Sequence, residues 1–251
     1  ELDAIWFMQL VLKIRPDDEL EKWVDTHRPR YEGTPFYPLI DPSAPLTPLP
    51  EELGSGLTKL RNYTLSAFGT PPDRAMRNLR AFVEHDEEGY VLTHQLAVLE
   101  WAKQVGQPIP EDLLARRPHL LEQISQELGA DTVFSDLYAE RAAFLVAWGN
   151  PSPEELERAI AKIVDSQVEP GKWKPPEGEI EYDGESAKLE PERFWRHCSK
   201  LSMVALAGYL QSVEPSPATA EAVRWPRALG WVLVILLLAG ALFLLRRRFR
   251  Q

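Results

Sequence analysis

Apolar residues recur three and four positions apart over most of this chain, and runs that alternate with a period of two are nearly absent. Such spacing lines one face of a helix. It predicts helices over residues 91–105, 111–128, 133–148, 153–168 and 191–211. Asp17, ahead of an acidic first turn, reads as the N-cap of a further helix, and Asp73 opens residues 74–84 in the same way. Residues 2–14 are interrupted only by Asp3, Gln9 and Lys13, the pattern of a buried helix. Gly106, Gly129 and Gly149 stand where left-handed caps are expected to end helices. The expected fold class is all-α, built from helical hairpins. Two segments break the pattern. Residues 29–50 hold seven prolines, with Tyr31, Phe36 and Tyr37 among them, and predict an extended path packed across the surface. Residues 169–190 are acidic, rich in Pro and Gly, and predict a long loop.

Near the C-terminus, residues 228–245 form an unbroken stretch of 18 uncharged residues rich in Leu, Val and Ala. At about 1.5 Å per residue a helix of that length reaches about 27 Å, close to a hydrocarbon core of about 30 Å. Trp225 and Trp231 lie near one end, and Arg246, Arg247, Arg248 and Arg250 close the other. The expectation is one C-terminal transmembrane helix. The excess of arginine in the tail over Arg224 and Arg227 orients it with the tail in the cytoplasm. Glu1 is not an initiator Met, which fits a removed export signal. No LPxTG-like or Gly-Gly sequence precedes the run, so a plain anchor is expected. The expected organisation is an exported helical domain (1–213), a linker (214–227), a transmembrane helix (228–245) and a cytoplasmic Arg-rich tail (246–251). The expected location is the cell (inner) membrane, crossed once.

Charge and composition exclude several functions. Lys and Arg total 28 against 38 Asp and Glu, a net charge of −10. Four of the basic residues belong to the tail, so the body is more acidic still. An acidic body argues against binding nucleic acid, which needs a basic face to neutralise phosphates. A single cysteine excludes an intrachain disulfide framework and any zinc site with two cysteines. No Gly-x-Ser-x-Gly elbow, phosphate loop, dinucleotide fingerprint or His-Glu-x-x-His motif occurs. The leading expectation is therefore a binding or scaffolding module of the cell envelope. It would be integral to the membrane, partnered by an envelope or membrane protein, and not an enzyme of a known motif class.

Three stretches repeat weakly. Tyr90-Val-Leu-Thr-His94, Val133-Phe-Ser-Asp136 and Phe194-Trp-Arg-His197 each open a helix with an aromatic, then His or Asp, then an alanine-rich apolar run. The His or Asp positions are 42 and 61 residues apart, the length of a helical hairpin with a variable loop. Between the second and third lies Gln167-Val-Glu-Pro-Gly171-Lys-Trp173, of the form Q-x3-G-x-W, after an apolar helix. Over residues 90–211 the chain thus resembles the helical toroid superfamily of squalene–hopene cyclases and prenyltransferases. There this motif joins an outer helix to the next inner one. The resemblance implies helical hairpins in a partial (α/α) toroid-like array, with Gln167, Gly171 and Trp173 as structural residues. The DxDD acid motif of the cyclases is missing, and the zinc ligands of the protein prenyltransferases cannot be matched, so no catalytic role carries over. Asp17-Asp18-Glu-Leu-Glu21 imitates a DDxxE diphosphate motif, but it directly follows Pro16 and capping accounts for it.

In a toroid, equivalent positions at the starts of inner helices meet at one rim of a central cavity. His94, Asp136 and His197 share such a position, and Glu140 lies one turn beyond Asp136. Two imidazoles with carboxylates can hold a divalent metal or serve as acid–base groups. The alternative expectation is therefore a membrane-tethered, metal-dependent or acid–base enzyme with His94, Asp136, Glu140 and His197 as its site. The plainer reading makes Thr93, Ser135 and Asp136 N-caps, with the histidines filling polar gaps. His27, His85 and His119 read as structural or solvated, and Cys198 as a small core residue.

Overall fold

The computed structural model describes residues 2–175, 179–188 and 191–213. Helix α1 (Leu2–Ile14) is followed by α2 (Asp18–His27), a 3-10 turn (Arg28–Tyr31), α3 (Tyr37–Ile40), α4 (Gly56–Ser66), α5 (Pro72–Val83) and α6 (Gly89–Gln104). Then come α7 (Glu111–Leu114), α8 (Arg117–Ala130), α9 (Asp136–Trp148), α10 (Pro153–Asp165) and α11 (Pro191–Val213). Six short strands accompany them: β1 (Thr47–Pro48), β2 (Gly69–Thr70), β3 (Gln167–Glu169), β4 (Lys172–Trp173), β5 (Glu179–Tyr182) and β6 (Glu185–Lys188).

Capping chemistry sets several starts. Asp17 accepts from the Leu20 amide at 2.8 Å at the head of α2. Ser152 and Glu155 form a reciprocal capping box on α10. The helix expected over residues 111–128 divides into α7 and α8, with Pro118 in the first turn of α8. Gly106 adopts the left-handed conformation, at φ 73°. Gly129 and Gly149 do not. Gly129 lies inside α8, and Gly149 is extended where a Cβ would sit 2.7 Å from the Leu145 carbonyl oxygen. The segment expected as one long loop holds two hairpins, β3–β4 and β5–β6. The second turns at Asp183-Gly184, both at positive φ, the dipeptide such a turn favours.

Helix α9 is the centre of the domain. Asp136 and every residue from Tyr138 to Leu145 are buried, so it is enclosed on all sides. Asp136 near its start meets His197 of α11, and Val146 near its end meets Gly208 of α11, so α9 and α11 run parallel. Helix α6 lies alongside in the same sense, with Thr93 against Glu140. Outside them α8 runs the other way. Its Arg117 bonds Glu100 and the Trp148 carbonyl, and its Glu127 bonds Arg141 and the Gly89 amide. Helix α1 packs across α11 and reaches the end of α9 through Trp6. Its Trp6 contacts the rings of Phe7, Trp101, Phe144 and Trp148. Trp173 of the Q-x3-G-x-W motif is buried and donates its indole N–H to the Ile163 carbonyl at 2.6 Å, which clamps the β3–β4 hairpin onto α10.

The membrane expectation is corrected. Among the described residues no helix is long and apolar enough to cross a membrane, and residues 228–245 lie outside those described, as do the linker and the Arg tail. Over the described residues the fold class that stands is all-α and mostly helical, with no transmembrane helix among its elements. The single-pass inner-membrane location and the integral-membrane partnership lose their structural basis with it. So does the envelope scaffold, which rested on that anchor.

The closeness of α9 and α11 depends on Gly208. A Cβ at that position would lie 2.1 Å from Val146 Cγ1. Gly208→Ala is expected to destabilise the fold by about 1–3 kcal/mol through overpacking. Adding Val146→Ala should recover most of that loss. Urea unfolding of both single variants and the double variant checks the coupling; additive losses would show that the contact is not what Gly208 serves.

Candidate metal centre

Ser135 caps α9 by accepting from the Tyr138 amide at 3.0 Å, which makes Asp136 the first helical residue. Its carboxylate stands at the positive end of the α9 dipole, where negative charge is favoured. It is 1% exposed and is held by the two neighbouring helices. Tyr90 of α6 donates its hydroxyl to Oδ2 at 3.1 Å. His197 of α11 places Nδ1 3.1 Å from Oδ1 and 3.0 Å from Oδ2. Carboxylate oxygens accept, so the shared proton sits on Nδ1. The ring of Phe7 from α1 packs edge-on against His197, with centroids 5.6 Å apart.

One turn further along α9, Glu140 is as deeply buried. Its Oε1 hydrogen-bonds Thr93 Oγ1 and lies 3.7 Å from His94 Nδ1. That nitrogen also donates to the Tyr90 carbonyl at 2.7 Å, which fixes the ring. Burial raises the Glu140 carboxyl above its ordinary value; His94, His197 and the Thr93 hydroxyl oppose the rise, and the neighbouring Asp136 adds to it. Burial and the same two carboxylates also push the Tyr90 phenol up, which keeps it a hydrogen donor. Cys198 follows His197 into the core, and burial raises its thiol as well.

Asp136, Glu140 and His197 each offer one ligand atom, all within 4.8 Å of one another. A first-row divalent ion with bonds of about 2.0–2.2 Å needs its donors roughly 3–4 Å apart. The Asp136–His197 pair already meets that, and Glu140 has a carboxylate oxygen within 4.8 Å of both. The carboxylates are closed to solvent while the imidazoles of His94 and His197 are 27% and 29% exposed, so approach is from the histidine side.

Of the residues expected at the site, Asp136, Glu140 and His197 come together, and His94 stands beside Glu140 rather than within the three-residue group. Thr93 is not an N-cap: α6 begins at Gly89, and the Thr93 hydroxyl is spent on Glu140 and the Tyr90 carbonyl. Sequence reading missed Tyr90 and Thr93 as partners of the carboxylates. Their signal was their place one turn before, and directly beside, His94. The other histidines lie elsewhere. His27 stacks on Trp23, His119 is near the exposed Asp86, and the His85 carbonyl accepts from Gln95. Compared with protein-family models, curated proteins and solved structures, the chain matches none.

The raised Glu140 carboxyl has a stability consequence of definite sign. The folded state holds this proton at pH values where the unfolded chain has released it. The penalty is therefore absent below the ordinary value of 4.5, grows as pH rises through the window above it, and levels off once the folded carboxyl ionises. Glu140→Gln removes the ionisation and is expected to be more stable than wild type at about pH 7.5, with the difference shrinking toward about pH 4. Urea midpoints across that range measure it. A wild-type advantage that persists at the upper end would contradict the assigned burial cost.

Proposed function

We propose that this helical domain is a divalent-metal-binding, acid–base enzyme whose metal ligands are Asp136, Glu140 and His197. The single observation that carries the reading is the group of three donors within 4.8 Å, two of them buried carboxylates on one face of α9. Two buried carboxylates this close repel each other and are costly to desolvate. A cation between them offsets both costs. The surrounding residues act as metal sites use their outer partners. Tyr90 orients Asp136, Thr93 orients Glu140, and the Tyr90 carbonyl fixes the His94 ring.

A divalent ion held there supplies Lewis acidity. The protein's own part is to place His94 at the open side as a proton acceptor or donor, with its ring orientation set. A second reading follows from His197, whose Nδ1 lies between both Asp136 oxygens. That is the arrangement in which a carboxylate orients an imidazole for general-base work without a metal.

Isothermal titration calorimetry with Zn²⁺ and Mn²⁺ separates the two. The metal reading expects one site per chain. Binding should release protons and weaken as pH falls, because a ligating imidazole or carboxylate would have to be free of its proton. Asp136→Asn, Glu140→Gln and His197→Ala should each abolish it, and Tyr90→Phe should weaken it by about 10-fold through the lost orientation of Asp136. Absence of stoichiometric binding at about pH 7.5 would overturn the metal reading and leave the Asp136–His197 pair as the remaining acid–base chemistry.

A further inference from the structure

At the opposite end of α9 from Asp136, about 18 Å along the helix axis, the ends of α1, α6 and α9 enclose a cleft of about 370 Å³. That is within the range of small-molecule pockets, about 300–1,000 Å³. Its walls are Leu10 and Ile14 of α1 with Ala147 and Trp148 of α9, and Lys13 and Lys103 are also among its lining residues. The Trp148 ring is backed by Trp6 and Phe144, so the apolar wall is continuous with the core.

The charge balance at this cleft differs from that of the chain. Glu100 also lines it, but its carboxylate is taken by Arg117, which also binds the Trp148 carbonyl. The Gln104 amide is committed to the Leu39 carbonyl at 2.7 Å. Lys13 and Lys103 have no ion-pair partner among the described residues. Three helix C-termini converge here and contribute about half a negative charge each. With two free ammonium groups and the Arg117–Glu100 pair, the local sum is still positive, in a chain whose net charge is −10. The ends of α1 and α6 need only complementary charge near their last carbonyls. Neither end requires an apolar cleft between the two lysines.

The geometry points to a second binding site, independent of the metal centre, for a small amphiphilic anion: an apolar chain against Leu10, Ile14 and Trp148, with its carboxylate between Lys13 and Lys103. Calorimetric titration of the full chain with octanoate, octanol and octylammonium tests it. Octanoate is expected to bind at one saturable site and more tightly than the other two. Exposed ion pairs contribute up to about fivefold each, so Lys13→Met with Lys103→Met should weaken octanoate by about 10-fold or more and leave octanol unchanged. Ala147→Trp, checked for unaltered circular dichroism, should block octanoate by filling the cleft. Octylammonium binding as tightly as octanoate would mean that the helix ends outweigh the lysines, and would overturn the proposal. So would octanoate binding unaffected by the lysine pair or by Ala147→Trp, or no saturable octanoate binding at all.

Discussion

Two carboxylates buried one turn apart on the most enclosed helix are the constraint around which this domain is arranged. Neither Asp136 nor Glu140 can be left in the interior without donors. The helix that carries them is short of polar groups on that face, so the donors come from outside. Helix α6 supplies Tyr90, Thr93 and His94, and α11 supplies His197. This brings the starts of α6 and α9 to one level beside the second turn of α11, all three running the same way, with α8 as an antiparallel cover. The Arg141 guanidinium, on the other side of α9, answers Glu127 and Asp131 of the α8 end and ties that cover down. The polar centre thus fixes both the register and the direction of its neighbours, which apolar packing alone would specify less sharply.

Such an arrangement works against stability in the absence of a ligand. A fold selected only for packing would place apolar side chains at these two positions. Retaining two desolvated acids beside two partly exposed imidazoles is the pattern expected where charge is kept for use. Of the α1 rings, Phe7 packs against His197, and Trp6 packs against Phe144 and Trp148 toward the far end of α9.

Much of this was legible in the sequence. The three-and-four spacing announces most of the helices, and the shared position of His94, Asp136 and His197 after an aromatic marks the residues that α6, α9 and α11 gather. Glu140 follows from helix geometry alone. Other features were hidden for physical reasons. Helix α4 carries Asn62, Thr64 and Ser66 on its buried side, each satisfied by a backbone carbonyl, so no apolar stripe reveals it. The β5–β6 hairpin sits in an acidic, proline-rich stretch whose Asp183-Gly184 turn signal outranked composition. Gly149 and Gly208 are glycines for want of space, and only the packed structure shows that. The apolar run at 228–245 dominated the reading of location and partner, and nothing in the described fold rests on it.

The packing of α1 against α11 has a consequence for how the chain acquires its structure on the ribosome. Helix α1 is synthesised ahead of the other described elements, with Ile5, Trp6, Phe7, Met8 and Leu10 all destined for burial, yet its principal partner is the last helix described. Through most of synthesis this apolar segment lacks that partner, and the resulting contacts are of high sequence separation, which slows folding. Until α11 is complete, the apolar side chains of α1 are exposed surface of the kind that promotes aggregation.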